Sequence, residues 1–252
     1  MTKLGKQLYT YYSGVMFVFT FLAIFPFFLI CIWIPGWQRF GRKINQYWAK
    51  TYFSLIFMPV KVETRAQLDK GKPYIFLANH FSYIDVAMMG FVPGDVLFVG
   101  KASIRKAPLF GYYFKKLHIA VDRSKVKSRA ETMRRAGEAI EKGSGIVLFP
   151  EGGIYTQQPP KMVPFKNGAF RLALDKQIQV IPVTLSYNHL ILPDDGQLLL
   201  HRKAAKMILH APLKPEDFDS DEAMKEKCFE VIQQQLDLDN QLIGEIRLQT
   251  EV

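Results

Sequence analysis

From Gln7 to Gln38 the chain carries no charged residue. The centre of that run, GVMFVFTFLAIFPFFLICIWIP, is long enough at 1.5 Å per residue to cross a hydrocarbon core of roughly 30 Å. No other feature constrains the fold as strongly, because a helix that is apolar all round needs lipid or protein interior on every side. A secretory signal would lead into a small-residue cleavage site, whereas this run ends in Ile34-Pro35-Gly36-Trp37. Pro26 permits a kinked or re-entrant helix instead of a straight span. The following stretch, WQRFGRKINQYWAKTYFSLIFMPV, mixes Arg39, Arg42, Lys43 and Lys50 with Trp37, Phe40, Tyr47, Trp48, Tyr52 and Phe53. That blend of cations and aromatics suits a helix at headgroup level. Residues 1–60 are therefore expected to form a two-helix membrane anchor, followed by a folded domain over 61–252. Arg39, Arg42 and Lys43 outweigh Lys3 and Lys6 at the other end of the run. This places the domain on the cytoplasmic face of the cell's inner membrane.

Beyond residue 73, short apolar runs alternate with helical patterns. YIFLA (74–78), VLFVG (96–100), HIAVD (118–122), GIVLF (145–149), VIPVTLS (180–186) and KMILHA (206–211) read as strands bounded by Gly, Pro, Asn or Asp. SRAETMRRAGEAIEKG reads as a helix with a capping box at Ser128 and Glu131, an apolar face of Met133, Ala136 and Ile140, and a stop at Gly143. A second helix is expected from Ser220 towards Leu236, with Phe229 and Ile232 inward. Strand–helix alternation predicts an α/β layered domain with a mostly parallel sheet flanked by helices. The formal charge of +10 asks for an anionic partner. Lys125, Lys127, Arg129, Arg134 and Arg135 cluster around one helix, where a solvated or headgroup-facing surface is the simpler reading and no nucleic acid is expected. Cys31 and Cys228 are the only cysteines, too few for a disulfide framework or a cysteine-built zinc site. Without a P-loop or a metal-ligand cluster, no metal and no other cofactor is expected.

Two stretches share one pattern. LANHFSYID has Asn79, His80 and, five positions on, Asp85; SYNHLILPD has Asn188, His189 and Asp194 in the same spacing. Alone, such a pair is a weak signal. The first follows a strand and precedes DVAMMGF, a helix start near which Ser82 or Asp85 can cap. A loop-to-helix turn lets Asp85 reach back to one ring nitrogen of His80, fixing the tautomer while the other accepts a proton. The second runs into Pro193 and the turn Asp194-Asp195-Gly196, so His189 reads as a surface or packing histidine. Between them, FPEGG ends the strand GIVLF with a carboxylate and glycines that let backbone N–H groups approach a ligand.

The ordered series NHFSYID, GKASIRKAPLFGYYFKKLHIAVDRS, FPEGG and VIPV resembles the four blocks of the glycerolipid acyltransferases over about residues 73 to 190. Within them it is most similar to the bacterial 1-acylglycerol-3-phosphate acyltransferase (PlsC-like) branch. The resemblance implies that His80 is the general base, Asp85 its partner, and SYNHLILPD a coincidence with no place in the series. It implies transfer of a fatty acyl group from acyl-CoA or acyl carrier protein, without an acyl-enzyme, to the hydroxyl of a lysolipid, with 1-acyl-sn-glycerol-3-phosphate giving phosphatidic acid. The absence of a G-x-S-x-G elbow agrees with a mechanism lacking a protein nucleophile. By the same resemblance Asn79, Lys101, Arg123, Glu151, Gly152, Gly153 and Lys166 bind substrate: cations around the anionic head group, Glu151 and the glycines around the glycerol hydroxyls. The family commonly reads F-P-E-G-T-R where this chain has FPEGGIY, so Gly153 and Ile154 replace a hydroxyl and a phosphate-holding guanidinium. Either Lys101, Arg123 or Lys166 carries the phosphate, or the acceptor is another lysophospholipid or a monoacylated glycine or ornithine lipid.

Overall fold

The structure is a computed structural model that describes residues 2–65, 67–69, 71–122 and 124–250, with side chains through residue 242. The apolar run folds as one helix, α1 (Lys3–Trp33), which Pro26 does not interrupt. The turn Ile34–Trp37 reverses the chain into α2 (Gln38–Leu55). The hairpin is aromatic-rich inside: Phe21, Phe25 and Phe28 bury against Tyr113, Phe114 and Leu117. Its other face exposes Leu8, Val18, Phe19, Leu22, Phe27 and Ile30.

Among the described residues, seven strands follow: β1 (Val60–Thr64), β2 (Ile75–Ala78), β3 (Val96–Lys101), β4 (Ile119–Val121), β5 (Gly145–Leu148), β6 (Val180–Leu185) and β7 (Ala205–Leu209). Their order in the sheet is β1-β7-β6-β2-β5-β3-β4, and only the β6–β7 pairing is antiparallel. All six strands expected from apolar runs are present. β1, VKVET, was not expected, because an edge strand with three exposed residues out of five offers no apolar run. The helices are α3 (Ile84–Met88), α4 (Phe110–Leu117), α5 (Val126–Glu141), α6 (Gly168–Asp175), α7 (Asn188–Ile191) and α8 (Asp221–Thr250).

The pleat sorts the side chains onto two faces. Phe76, Ala78, Val147, Ile181 and Val183 pack with Tyr52, Phe53, Ile56 and Met58, so residues from the end of α2 share the core of the sheet. Ile75, Leu77, Ile146 and Leu148 pack instead with α5, α6 and α8. The division at residue 60 falls at the first residue of β1, inside this common interior.

Two helix boundaries differ from expectation. α5 begins at Val126 with no side-chain cap, because the Ser128 hydroxyl accepts the Asp122 N–H at 2.9 Å and Glu131 pairs with Arg134. The capping box is thus not formed. The stop at Gly143 is observed: it takes φ +79°, and the Gly143 and Ser144 N–H groups close the helix on Ile140 and Ala139. α8 continues well past Leu236.

A charged contact ties α2 to the amino ends of the sheet. Arg42 forks onto both oxygens of Asp95 at 2.6 and 2.8 Å, Ser144 donates to the same carboxylate, and Arg39 lies 3.4 Å away. Two of the three cations read as a topology signal are therefore also structural.

Candidate active site

β2 is flanked by β5 and β6 and ends at Ala78, so the residues after it emerge at the middle of the sheet's carboxyl edge. In open parallel sheets this edge is where ligands gather. Asn79 and His80 come next, and α3 starts four residues later. The intervening turn folds back on Asp85. Its Oδ2 receives His80 Nδ1 at 2.9 Å and the N–H groups of Phe81 and Ser82, both at 2.8 Å. Asp85 is fully buried, and three donors on one oxygen fix the carboxylate in place. With Nδ1 facing Asp85, Nε2 is the ring nitrogen turned away from the carboxylate. Phe149, just past β5, stacks on the imidazole at 4.0 Å between centroids and 16° between planes.

The second Asn-His-four-Asp stretch is no second pair, yet it is not idle. Asn188 Nδ2 donates to Asp85 Oδ1 at 2.8 Å, completing the carboxylate's partners. Leu192 C=O accepts the Ser82 hydroxyl at 2.7 Å, and His189 meets the Phe81 ring edge-on. The coincidence expected from sequence is thus corrected: residues 185–192 clasp residues 79–85. His189 itself packs, as expected. It is buried, and that burial lowers its pKa.

The remaining site residues sort by place. Asn79 is fully buried with both ends of its amide on Leu185: Oδ1 accepts the Leu185 N–H at 2.8 Å and Nδ2 donates to its carbonyl at 3.1 Å. It joins β2 to β6 and has no end left for a substrate. Glu151 is also buried. Oε1 accepts the His80 N–H at 2.7 Å and Oε2 the Val163 N–H at 3.3 Å, so it positions the histidine's main chain instead of presenting a carboxylate to glycerol hydroxyls. Burial pushes its carboxyl up to about 7, opposed by those two donors and reinforced by Asp85. Depth of burial is what the sequence does not carry.

Gly152 takes φ +85°, a conformation side chains resist, and a Cβ there would lie 2.5 Å from Lys166 Nζ. The exposed Lys166 side chain thus lies across Gly152, with Nζ 6.0 Å from the centre of the Tyr155 ring. Gly153 is overlaid by the same tyrosine. Lys101 is exposed at the end of β3, and Arg123 lies outside the described residues. Phe149 and Asn188 were missed by sequence reasoning. The signal for Phe149 was its place beside Pro150-Glu151, and for Asn188 the repeated pattern itself.

On the hairpin face of the sheet, Phe17, Trp48, Tyr83, Val86, Phe98 and Phe110 help enclose an apolar cavity of about 160 Å3. Asn45 and Tyr113 reach His118 Nε2 there, each at 3.0 Å. Burial, then Arg42, drives the His118 pKa down to about 3, keeping it neutral.

A buried aspartate thus holds a histidine at the carboxyl end of a central parallel strand, on a layered α/β scaffold. The chain belongs to the Acyltransferase family, whose model matches residues 59–186. It is 24% identical over 206 residues to the chloroplastic 1-acyl-sn-glycerol-3-phosphate acyltransferase BAT2 of Brassica napus, covering 80% of this chain and 58% of that one. It is 25% identical over 182 residues to the lyso-ornithine lipid O-acyltransferase of Rhizobium meliloti, covering 69% and 60%. The chain thus spans somewhat more than half the length of these curated relatives. The crystal structure of the 1-acyl-sn-glycerophosphate acyltransferase PlsC from Thermotoga maritima superposes with a TM-score of 0.76 at 24% identity, covering 94% of this chain and 97% of that one. It shares the fold.

Proposed function

We propose that the protein transfers a fatty acyl group from a thioester donor, acyl-CoA or acyl carrier protein, to the free hydroxyl of a lysophospholipid, 1-acyl-sn-glycerol-3-phosphate being the first candidate. The carrying observation is His80 held at 2.9 Å by a fully buried aspartate at the sheet's carboxyl edge. The acceptor hydroxyl gives its proton to His80 Nε2 as its oxygen bonds to the thioester carbonyl. Asp85 stabilises the imidazolium, and collapse of the tetrahedral intermediate breaks the C–S bond. The departing sulfur takes the proton from His80, so the products are an ester and a thiol. General-base action supplies roughly 10²–10⁴-fold, and alignment of the two substrates must add more.

The acceptor phosphate meets Lys166, draped over Gly152, and Lys101 at the end of β3. A specific observation favours a second reading: half-buried Ile154 stands where the family's arginine is expected, which suits an acceptor without that phosphate, such as a monoacylated glycine or ornithine lipid.

The apolar outer face of α1 supports seating on a bilayer. Domain contacts run from Tyr9, whose hydroxyl donates to Ile56 C=O, to Trp33, whose indole donates to Tyr112. Helix residues 9 to 33 span about 36 Å and touch the folded body near both ends, which supports a helix lying along one leaflet. The water-soluble donor places the site on the cytoplasmic side.

The test is acyl transfer by detergent-purified protein from labelled acyl-CoA and acyl carrier protein to lysophosphatidic acid, lysophosphatidylethanolamine and monoacylated ornithine and glycine lipids. Transfer to lysophosphatidic acid that His80→Ala abolishes supports the first reading. Preference for an amino-acid lipid supports the second. Transfer that survives His80→Ala refutes both.

A further inference from the structure

Residues 185–192, which clasp the histidine turn, are themselves pinned to α1. Past α7 the chain runs through exposed residues 194–198 and returns at Leu200 and His201, whose N–H groups go to two different elements. His201 N–H donates to Ile191 C=O at 2.7 Å, at the end of α7. Leu200 N–H donates to Thr10 Oγ1 at 2.8 Å, in the amino-terminal third of α1. The Thr10 hydroxyl gives its own proton to Lys6 C=O at 2.7 Å, which orients its oxygen to accept. Leu200 and Ile191 are buried in the core against which Tyr9, Tyr12, Met16 and Leu192 pack. Leu198, two residues before Leu200, takes φ +50°, a left-handed conformation that a leucine keeps only where its surroundings hold it.

These bonds join end to end. From Thr10 they pass through Leu200, His201 and Ile191 to α7, where Asn188 Nδ2 reaches Asp85 Oδ1 and Leu192 C=O takes the Ser82 hydroxyl. Packed elements and hydrogen bonds in unbroken contact are what carries a constraint over such a distance. We propose that Thr10 is a positioning residue for acyl transfer: through the pinned return at Leu200 it sets where α7 stands, and so how Asp85 meets His80. The same turns of α1 expose Leu8 and Tyr11, so one helix carries both a lipid-facing surface and the brace of Asp85. The kinetic consequence rests on the transfer reading above; the brace itself does not.

Thr10→Val removes both hydroxyl bonds at nearly constant shape, and Thr10→Ser keeps them. In full-length protein in detergent, Thr10→Val should lower kcat about twofold to tenfold, as expected for one neutral hydrogen bond, with both KM values near wild type. Thr10→Ser should restore it. Tyr12→Phe is the control: it deletes another bond from α1 to the body, Tyr12 hydroxyl to Leu55 C=O at 2.8 Å, that does not lead to α7, and it should leave kcat unchanged. In the Asn188→Leu background Thr10→Val should cost less than it does alone, since the bond to Asp85 is already gone. Hydrogen exchange gives a readout without turnover. The Phe81 and Ser82 N–H groups, which donate to Asp85, should exchange faster in Thr10→Val and not in Tyr12→Phe. A wild-type kcat or wild-type exchange in Thr10→Val, or equal changes in Tyr12→Phe, would overturn the assignment. Where the wild type transfers no acyl group, the transfer reading falls, and exchange alone decides the brace: faster in Thr10→Val keeps it, unchanged removes it as well.

Discussion

Replacing Asn188 by leucine tests whether the clasp over residues 79–85 matters to catalysis. The substitution keeps the branched heavy-atom shape and removes the Nδ2 donor that Asp85 Oδ1 holds at 2.8 Å. Oδ2 retains His80 Nδ1 and two backbone N–H groups, so the carboxylate stays in place but can rotate about a less constrained axis. A hydrogen bond to a charged group contributes about 1.5–3 kcal/mol net. If that energy holds the base in its reactive orientation, its loss lowers kcat by about tenfold to a hundredfold, at 1.36 kcal/mol per tenfold. Both KM values should stay near wild type, because Asn188 is buried and does not line the apolar cavity described above. The assay is steady-state transfer below the unfolding transition, paired with urea unfolding of the same micellar protein. A kcat within twofold of wild type refutes the reasoning. If it comes with reduced stability, Asn188 is a structural strut; if stability is also unchanged, the bond contributes nothing measurable.

Three further outcomes are expected. His189→Ala should leave transfer largely intact, since His189 packs on Phe81 and makes no bond to Asp85; activity lost there and kept in His80→Ala would reverse the assignment of the base. Glu151 holds its carboxyl near 7 when folded, so its contribution is fully present below the ordinary carboxylate range and is lost as pH rises through 7, by at most about 3 kcal/mol. Glu151→Gln should therefore gain stability relative to wild type between pH 5 and pH 8 in urea unfolding, and parallel curves would show that the carboxyl titrates normally. Arg42→Leu leaves the poorly exposed Asp95 with the Ser144 hydroxyl and the more distant Arg39 and should cost about 3 kcal/mol in unfolding, part of it recovered by adding Asp95→Asn.

The site was legible in the sequence where chemistry and local spacing coincide, and obscure where tertiary distance decides. His80 and Asp85 are five residues apart and meet in a single turn, so their pairing could be argued from a strand followed by a helix. Asn188 joins them from more than a hundred residues away, through a sheet order that places β6 beside β2. Glu151 and Asn79 were given to a substrate, whereas the structure spends their polar ends on backbone groups, because residue type alone does not tell a buried carboxylate bonded to N–H groups from one facing a ligand. The strands were legible as apolar runs. The eight-residue helices α4 and α6 were not, each too short to show more than two turns of periodicity. The reversal of β7 against β6 depends on the path of residues 186–204, which no local pattern dictates.

The interior shared by α2 and the sheet has a practical consequence. Cutting the chain at residue 60 to obtain a water-soluble enzyme would remove Tyr52, Phe53, Ile56 and Met58, and would leave Phe76, Val147, Ile181 and Val183 facing solvent. Such a fragment would be expected to precipitate or stay unfolded, for loss of its own centre and not of a membrane tether. Solubility would have to be engineered at Leu8, Phe19 and Phe27, on the outer face of a helix that the rest of the protein uses as its wall.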